Sequence, residues 1–199
     1  MKLGVFLAAL LLGCTLLSAL EESQIDTVMN RDIVKATAIL QDKNIKDDEK
    51  SEKIFKIFDG FFDFKQMATI CLGKAQWDML NDTQKDEFIT KFVQRLKESY
   101  VEKLKLYTDE KITIKANEKK SAARIQVPMI LSAKDGQTYE ILYKFYDTKD
   151  SRGWLIYDVD VVGISIVQTY RSQFDGVLKN GSFEDLIKKI DSINIEVQK

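Results

Sequence analysis

YDVDVVGISIVQTYRSQF, residues 157–174, decides the fold because its hydrophobic period changes partway along. In the first part Tyr157, Val159 and Val161 alternate with other residues, which is typical of a strand with one apolar face. Gly163 then interrupts the alternation. The segment after the glycine therefore belongs to a different element.

That second element has the signature of a helix. Ser165 and Gln168 have the spacing of a capping box, in which side chains bond free backbone groups of the first turn. Val167, Tyr170 and Phe174 follow at helical spacing. A strand and a helix joined in this way can turn their apolar faces toward one shared space.

Three segments upstream alternate like the strand that contains Leu155 and Tyr157. Their apolar positions are Ile112 and Ile114; Ile125, Val127, Met129 and Leu131; and Tyr139, Ile141, Tyr143 and Phe145. Turn signals at 117–120, 135–136 and 150–153 separate the segments, so they predict an antiparallel meander of about four strands. Pro128 lies inside one segment and predicts an edge or a bulge, and a bulge would curl the sheet.

The first half of the chain has helical periodicity. In its longest helix, aromatic and aliphatic residues recur every four positions, a row that drifts around a helix of 3.6 residues per turn. That row is Phe88, Phe92, Leu96, Tyr100 and Leu104. The predicted helices cover residues 22–41, a segment capped by Asp47 or Asp48, a short segment from Asp63 to Gly73, and a segment from Asn81 or Asp82 to Tyr107.

These patterns predict an α+β fold, with helices packed on one face of a curved antiparallel sheet of about four strands. The helical part covers about residues 22–107, the sheet about 110–161 and the closing helices about 164–195. The apolar side chains on the shared face are numerous and bulky. They fit either a large ordinary core or a core that encloses a space, and the pattern alone leaves both open.

Composition excludes several functional classes. The net charge is −1, so there is no basic excess for nucleic acid. The chain has no histidine, which removes Ser-His-Asp and Cys-His nucleophiles and most zinc sites. It also lacks the glycine-rich phosphate-binding motifs GxxxxGK[ST] and GxGxxG. We therefore expect no catalytic residue, no metal and no cofactor.

Asp158 and Asp160 are the most conspicuous polar pair. They lie two residues apart, with Cα atoms ~6.6 Å apart in a strand, which could suit a pair of acid/base carboxylates. A calcium loop would need an oxygen ligand and a bidentate Glu where Val162 and Thr169 stand. The simpler interpretation is that the pair lies on the outer face of the sheet or pairs with Lys or Arg.

The N-terminal residues 1–19 read as an export signal. Lys2 precedes an apolar stretch, and the small residue Ala19 stands at the expected cleavage point. Two alternatives remain, an uncleaved membrane anchor and a lipoprotein cut before Cys14. Cleavage after Ala19 leaves Cys71 as the only cysteine, which we interpret as a small buried apolar residue. Residues 20–199 then form one domain.

Two blocks of the sequence resemble the MlaC family, also called the toluene-tolerance or periplasmic phospholipid-binding family. The first block matches at Tyr157, Asp158, Val159, Gly163, Ile164, Ser165, Tyr170, Arg171, Gln173 and Phe174. The second block matches at Phe62, Asp63, Phe64, Met67, Ala68, Leu72, Gly73 and Trp77. The resemblance spans nearly the whole chain after residue 19, although the family often has an acid where this chain has Val162.

The resemblance implies a non-enzymatic carrier that moves phospholipid through the periplasm of a Gram-negative bacterium. Its implied partners are an outer-membrane lipoprotein–porin complex and an inner-membrane ABC transporter with an MCE-domain protein, in a pathway that maintains outer-membrane lipid asymmetry. It implies acyl chains in an apolar cavity between sheet and helices, with the headgroup outside. We expect a monomer whose cargo is a phospholipid. The alternative is a small-molecule-binding or enzymatic domain built on a similar curved sheet.

We predict the cavity wall from the apolar faces described above. The strand residues are Val127, Met129, Leu131, Ile141, Tyr143, Phe145, Tyr157 and Val159, and the helix residues are Phe58, Phe92, Leu96, Tyr100, Val167, Tyr170 and Phe174. Arg171 could contact a phosphate, an acid on the same protein, or a partner protein.

Overall fold

The computed structural model describes residues 19–104 and 110–193. Three sequence predictions concern residues outside these ranges. They are the export signal up to residue 18, the alternative lipidation site Cys14, and the helix ends near Tyr107 and residue 195. Within the two ranges, no helix is long and apolar enough to cross a membrane.

Helices and strands follow the predicted order. The helices are α1 (Ile25–Gln41), α2 (Asp47–Phe58), α3 (Phe64–Leu72), α4 (Lys74–Trp77), α5 (Asp82–Leu104), α6 (Ile166–Phe174), α7 (Val177–Asn180) and α8 (Phe183–Ser192). The strands are β1 (Lys111–Ile114), β2 (Glu118–Ser121), β3 (Arg124–Ser132), β4 (Thr138–Asp147), β5 (Trp154–Val161) and β6 (Ile164–Ser165). The predicted α+β class is confirmed.

Side-chain caps start three of the helices where the sequence predicts them. In each case an oxygen at the cap position accepts from the backbone N–H three residues later. The pairs are Asp63 with Gln66 at 2.9 Å, Asn81 with Gln84 at 2.9 Å, and Ser165 with Gln168 at 3.0 Å.

Helix α2 starts differently from the prediction. The residue before it is Lys46, whose amine can only donate, and Asp47 and Asp48 lie inside the first turn. The prediction that one of these aspartates caps the helix is wrong. In the first turn their negative charges still favour the helix, because the N-terminal end of its dipole is positive.

The strands form one open sheet in the order β1-β3-β4-β5-β6, with β2 also paired to β3. All the pairings are antiparallel. Two of the six strands, β2 and β6, are additional to the predicted meander. Every residue of β2 is exposed and β6 has two residues, so neither carries an apolar alternation that the sequence could show.

Pro128 lies opposite a gap in the neighbouring edge strands. Its carbonyl accepts from Lys115 N at 2.8 Å, so its nitrogen points to the same side, toward the chain between β1 and β2. No ladder bond is needed there, because β1 pairs only as far as Met129 and β2 begins to pair at Gln126. Strand β3 is paired on both sides, so the prediction of an edge is wrong, and the register with β4 runs through Pro128 without a bulge.

The sheet has a bulge in β5, at Tyr157. Tyr143 pairs with Val159, but Phe145 pairs with Ile156, so β5 has one more residue than β4 between these two pairs. The prediction that Tyr157 shares a face with Val159 is wrong. Its ring lies on the opposite, outer face, at right angles to Tyr146.

The core lies between the inner face of the sheet, which carries Ile125 and Phe145, and helices α3, α5, α6 and α8. Aromatic rings link the helices. Phe92 on α5 and Tyr170 on α6 meet edge to face, with ring centroids 5.1 Å apart. Cys71 is buried in this core, and its burial raises the pKa of the thiol well above the usual range. Its interpretation as a buried apolar residue is confirmed.

Candidate functional site

The inner face of the sheet becomes more accessible toward one end. On β3, Ile125 and Val127 are buried, whereas Leu131 keeps accessible surface. On β4, Phe145 is inaccessible, whereas Ile141 is partly accessible. Since Ile125 pairs with Phe145, the inner-face residues of the two strands are buried at the same end of the sheet.

Helix α5 shows a matching change along its length. Phe88 and Phe92 are inaccessible and Leu96 is nearly so, while Tyr100, one turn further, is partly accessible. Tyr143 is close enough to Tyr100 to contribute, after burial, to raising the pKa of Tyr100. Tyr100 and Tyr143 are also both packed against the same buried core, so the accessible parts of the helix and of the sheet border that core together.

Tyr100 and Tyr143 lie deep in the protein. Burial raises the pKa of Tyr143 to about 12 and raises the pKa of Tyr100 well above its usual range. Both side chains nevertheless keep accessible surface. We interpret residues that are enclosed by protein and still partly accessible as the border of a space that solvent or a ligand can enter.

We name this region the apolar recess and define it by five inner-face residues. Val161 belongs to it because it pairs with Ile141 and is likewise partly accessible. The five residues are Tyr100, Leu131, Ile141, Tyr143 and Val161. Two of them are tyrosines and the other three are aliphatic, so the recess offers apolar contact and two hydroxyl groups.

Thirteen of the fifteen predicted wall residues divide into three groups. Six are packed with almost no accessible surface, and they form the solid core beside the recess: Phe92, Val127, Phe145, Val167, Tyr170 and Phe174. Leu96, Met129 and Val159 are buried between this core and the recess. Four border the recess itself: Leu131, Ile141, Tyr143 and Tyr100.

Two predicted wall residues lie elsewhere. Phe58 ends α2 and is half-buried, with its ring centroid 6.4 Å from that of Phe61. Tyr157 lies on the outer face, where the Arg124 guanidinium stands 4.9 Å from the centre of its ring. The prediction of the wall also missed Val161 and Ile114. Both are partly buried against the core, and the strand alternation already places them on the apolar face.

The aspartate pair is bound to a lysine. Lys144 Nζ lies 3.0 Å from Asp158 Oδ2 and 2.6 Å from Asp160 Oδ1, so the predicted pairing with Lys or Arg is confirmed. Burial alone would lower the pKa of Lys144, but the two carboxylates outweigh it and raise the pKa. One ammonium group therefore pairs with both aspartate side chains.

Asp158 also ties the bulge to the helix that follows. Its Oδ2 accepts from Ser165 Oγ at 2.8 Å, and its Oδ1 accepts from Val167 N at 3.2 Å. The side chain therefore fixes the start of α6 against β5. Within the described part of the chain, no group of three or more His, Cys, Asp or Glu side chains is placed to hold a metal ion.

One hydroxyl group in the core is poorly satisfied. Tyr170 is inaccessible, and within the described residues its hydroxyl has no hydrogen-bond partner of good geometry. Burial raises the pKa of Tyr170 to about 12, against a smaller opposite effect of the nearby Ser99 hydroxyl. Ser99 Oγ donates its own proton to Arg95 O at 3.0 Å.

Known proteins resemble this chain in sequence pattern and in fold. A family model described as MlaC protein matches residues 31–192. The phospholipid-binding protein from Ralstonia solanacearum, solved in complex with a phospholipid, has a similar structure with a TM-score of 0.70. That likeness covers 83% of this chain and 94% of the other at 19% sequence identity, so it shows a shared fold. No curated protein sequence matches the chain.

Proposed function

The chain belongs to the MlaC family, and from this premise we propose that it binds a phospholipid by its acyl chains. The acyl chains occupy the apolar recess between α5 and the inner face of the sheet. The headgroup stays at the entrance, in water. The protein acts by binding and transfer, and the lipid is its cargo.

The observation that carries this proposal is the matching change in accessibility along α5, β3 and β4. Packed residues such as Phe92 and Phe145 close one side of the apolar recess. The five residues that define the recess remain partly accessible. An apolar space with one closed side suits a long hydrocarbon chain better than a small polar substrate. The fold that the chain shares with a phospholipid-bound protein supports the same conclusion.

The physical need for such a recess is large. A diacyl lipid has on the order of 30 methylenes, each worth ~0.8 kcal/mol on burial. Leaving a membrane without cover would therefore cost roughly 20 kcal/mol. A carrier must shield most of that surface, and tyrosines with aliphatic side chains provide apolar contact in many chain conformations.

We further propose that the protein is exported to the periplasm after cleavage of residues 1–19. There it shuttles phospholipid between an outer-membrane lipoprotein–porin complex and the MCE-domain protein of an inner-membrane ABC transporter, as a monomer. This transport would maintain the lipid asymmetry of the outer membrane. Family membership and the apolar N-terminal sequence before Ala19 support this part of the proposal.

Native mass spectrometry of the protein purified from its own envelope tests the binding proposal. We expect the mass of the chain plus a phospholipid, and loss of that added mass after delipidation. Incubation with liposomes should restore it. A spectrum that shows only the bare chain both before and after incubation would overturn the proposal.

A further inference from the structure

The turn between β5 and β6 combines backbone strain with exposed apolar side chains. Val161 pairs with Ile164, so Val162 and Gly163 form a two-residue hairpin loop. Their φ angles are +52° and +77°, both in the left-handed region. Such loops normally carry Asn, Asp or Gly, because a side chain branched at Cβ collides with the backbone there.

The loop has open space around Gly163 and carries exposed aliphatic side chains. Among the described residues, nothing lies within 4 Å of the position where a Cβ on Gly163 would stand, so the loop projects into open space. Val162 is 50% exposed and Ile164 is 48% exposed. The valine thus adds strain without adding core packing, and strain of this kind collects at functional positions.

The loop stands beside the apolar recess. Val161, which precedes it, is one of the residues that define the recess, and Val161 pairs with Ile141 of the same group. The backbone N–H of Val162 donates to Glu140 O at 2.8 Å, which holds the loop against β4. Two exposed aliphatic side chains are therefore held on a firm hairpin next to the recess.

We infer that Val162 and Ile164 form a membrane-contact tip, which enters the interfacial region of the phospholipid bilayer beside a membrane complex while a lipid passes between that complex and the recess. This inference rests on the proposed function. The tip carries only two side chains. The area that they can bury is far smaller than the roughly 1,000 Å² that a specific protein interface buries. Shallow insertion into a bilayer needs no complementary surface, and a contact this small lets the carrier leave again.

The test compares single substitutions at the tip with a distant control. Val162→Asn removes the apolar side chain and suits the left-handed backbone. Val162→Thr keeps the branch at Cβ, and with it the strain, but adds a hydroxyl. Met79→Asn removes a side chain that is 64% exposed and precedes α5, at the other end of that helix from Tyr100.

The measurements are lipid uptake and flotation with liposomes of phosphatidylethanolamine and phosphatidylglycerol. We expect both Val162 variants to take up lipid roughly fivefold more slowly and to float less, because half-exposed aliphatic contact is lost. Their final lipid load should equal that of the unaltered protein. Val162→Asn should also raise the melting temperature, Val162→Thr should not, and Met79→Asn should leave uptake and flotation unchanged.

Several results would overturn the inference. Unchanged uptake and flotation in both Val162 variants would exclude a bilayer contact at the tip. A dimer of the unaltered protein that becomes monomeric in Val162→Asn would assign the tip to a second copy of the chain. Failure of the unaltered protein to load lipid would instead contradict the proposed function, while flotation would still decide whether the tip contacts bilayers.

Discussion

Tyr157 lies against Tyr146 on the outer face of the sheet, with ring centroids 5.8 Å apart and ring planes at 86°. Arg124 stands over both rings, 5.2 Å from the centre of Tyr146 and 4.9 Å from the centre of Tyr157. This contact exists because β5 has one extra residue opposite β4. It removes Tyr157 from the apolar recess, which Tyr143 of β4 still borders.

Tyr143→Asp should reduce phospholipid loading to below about one-tenth, because a carboxylate in the recess must be desolvated when acyl chains cover it. Tyr157→Asp places the same charge on the outer face and should leave loading nearly unchanged. Native mass spectrometry of both variants, with circular dichroism to confirm folding, gives the comparison. Equal loss of lipid in two folded variants would show that the recess is wrongly placed.

Tyr170→Phe should leave the free energy of unfolding unchanged or raise it by up to about 1 kcal/mol, since the buried hydroxyl has no well-formed hydrogen bond to lose. Tyr146→Phe provides the contrast, because the Tyr146 hydroxyl donates to the buried carboxylate of Asp63. It should lower stability by about 1–2 kcal/mol.

Urea unfolding at neutral pH measures both tyrosine variants. A loss in Tyr170→Phe as large as that in Tyr146→Phe would mean that the Tyr170 hydroxyl is satisfied, with Ser99 as the nearby acceptor.

Asp158→Ala should destabilise the protein by about 2–4 kcal/mol, because the side chain pairs with the largely buried Lys144 and holds the start of α6. Asp160→Ala is the matched control, since Asp160 pairs with the same lysine, while the bonds to the start of α6 come from Asp158. Its expected cost is about 1 kcal/mol. Similar losses in the two variants would show that the contacts of Asp158 to α6 contribute little.

Stability should fall between about pH 10 and pH 12, in part through Tyr143. Burial raises its pKa in the folded protein to about 12, above the ordinary value of ~10. The unfolded chain therefore releases this proton first, so the stabilising contribution is complete below pH ~10 and is lost as the pH rises toward 12.

Tyr143→Phe should flatten this alkaline decline by up to about 2 kcal/mol. Urea unfolding at several pH values, with Tyr157→Phe as control, measures the difference. An alkaline decline in Tyr143→Phe as steep as that of the unaltered protein would show that the Tyr143 hydroxyl is freely hydrated.

Local signals predicted much of the helical part correctly. Asp63, Asn81 and Ser165 cap helices at the predicted positions, because the capping bond joins residues only three apart. The start of α2 was misassigned because acidic residues favour both the cap and the first turn. Strand β2 could not be recognised, since an exposed charged edge strand carries no apolar period.

The apolar faces of α5, β3 and β4 follow from the sequence alone, because the period of a helix or strand is set by its own backbone geometry. The face of Tyr157 does not. Residues 154–157 are all apolar, so their alternation is ambiguous, and only pairing with β4 shows the bulge. Tertiary structure also decided that Phe92 and Phe145 are packed solid while Tyr100 and Tyr143 remain accessible, because accessibility depends on how far neighbouring elements cover a side chain.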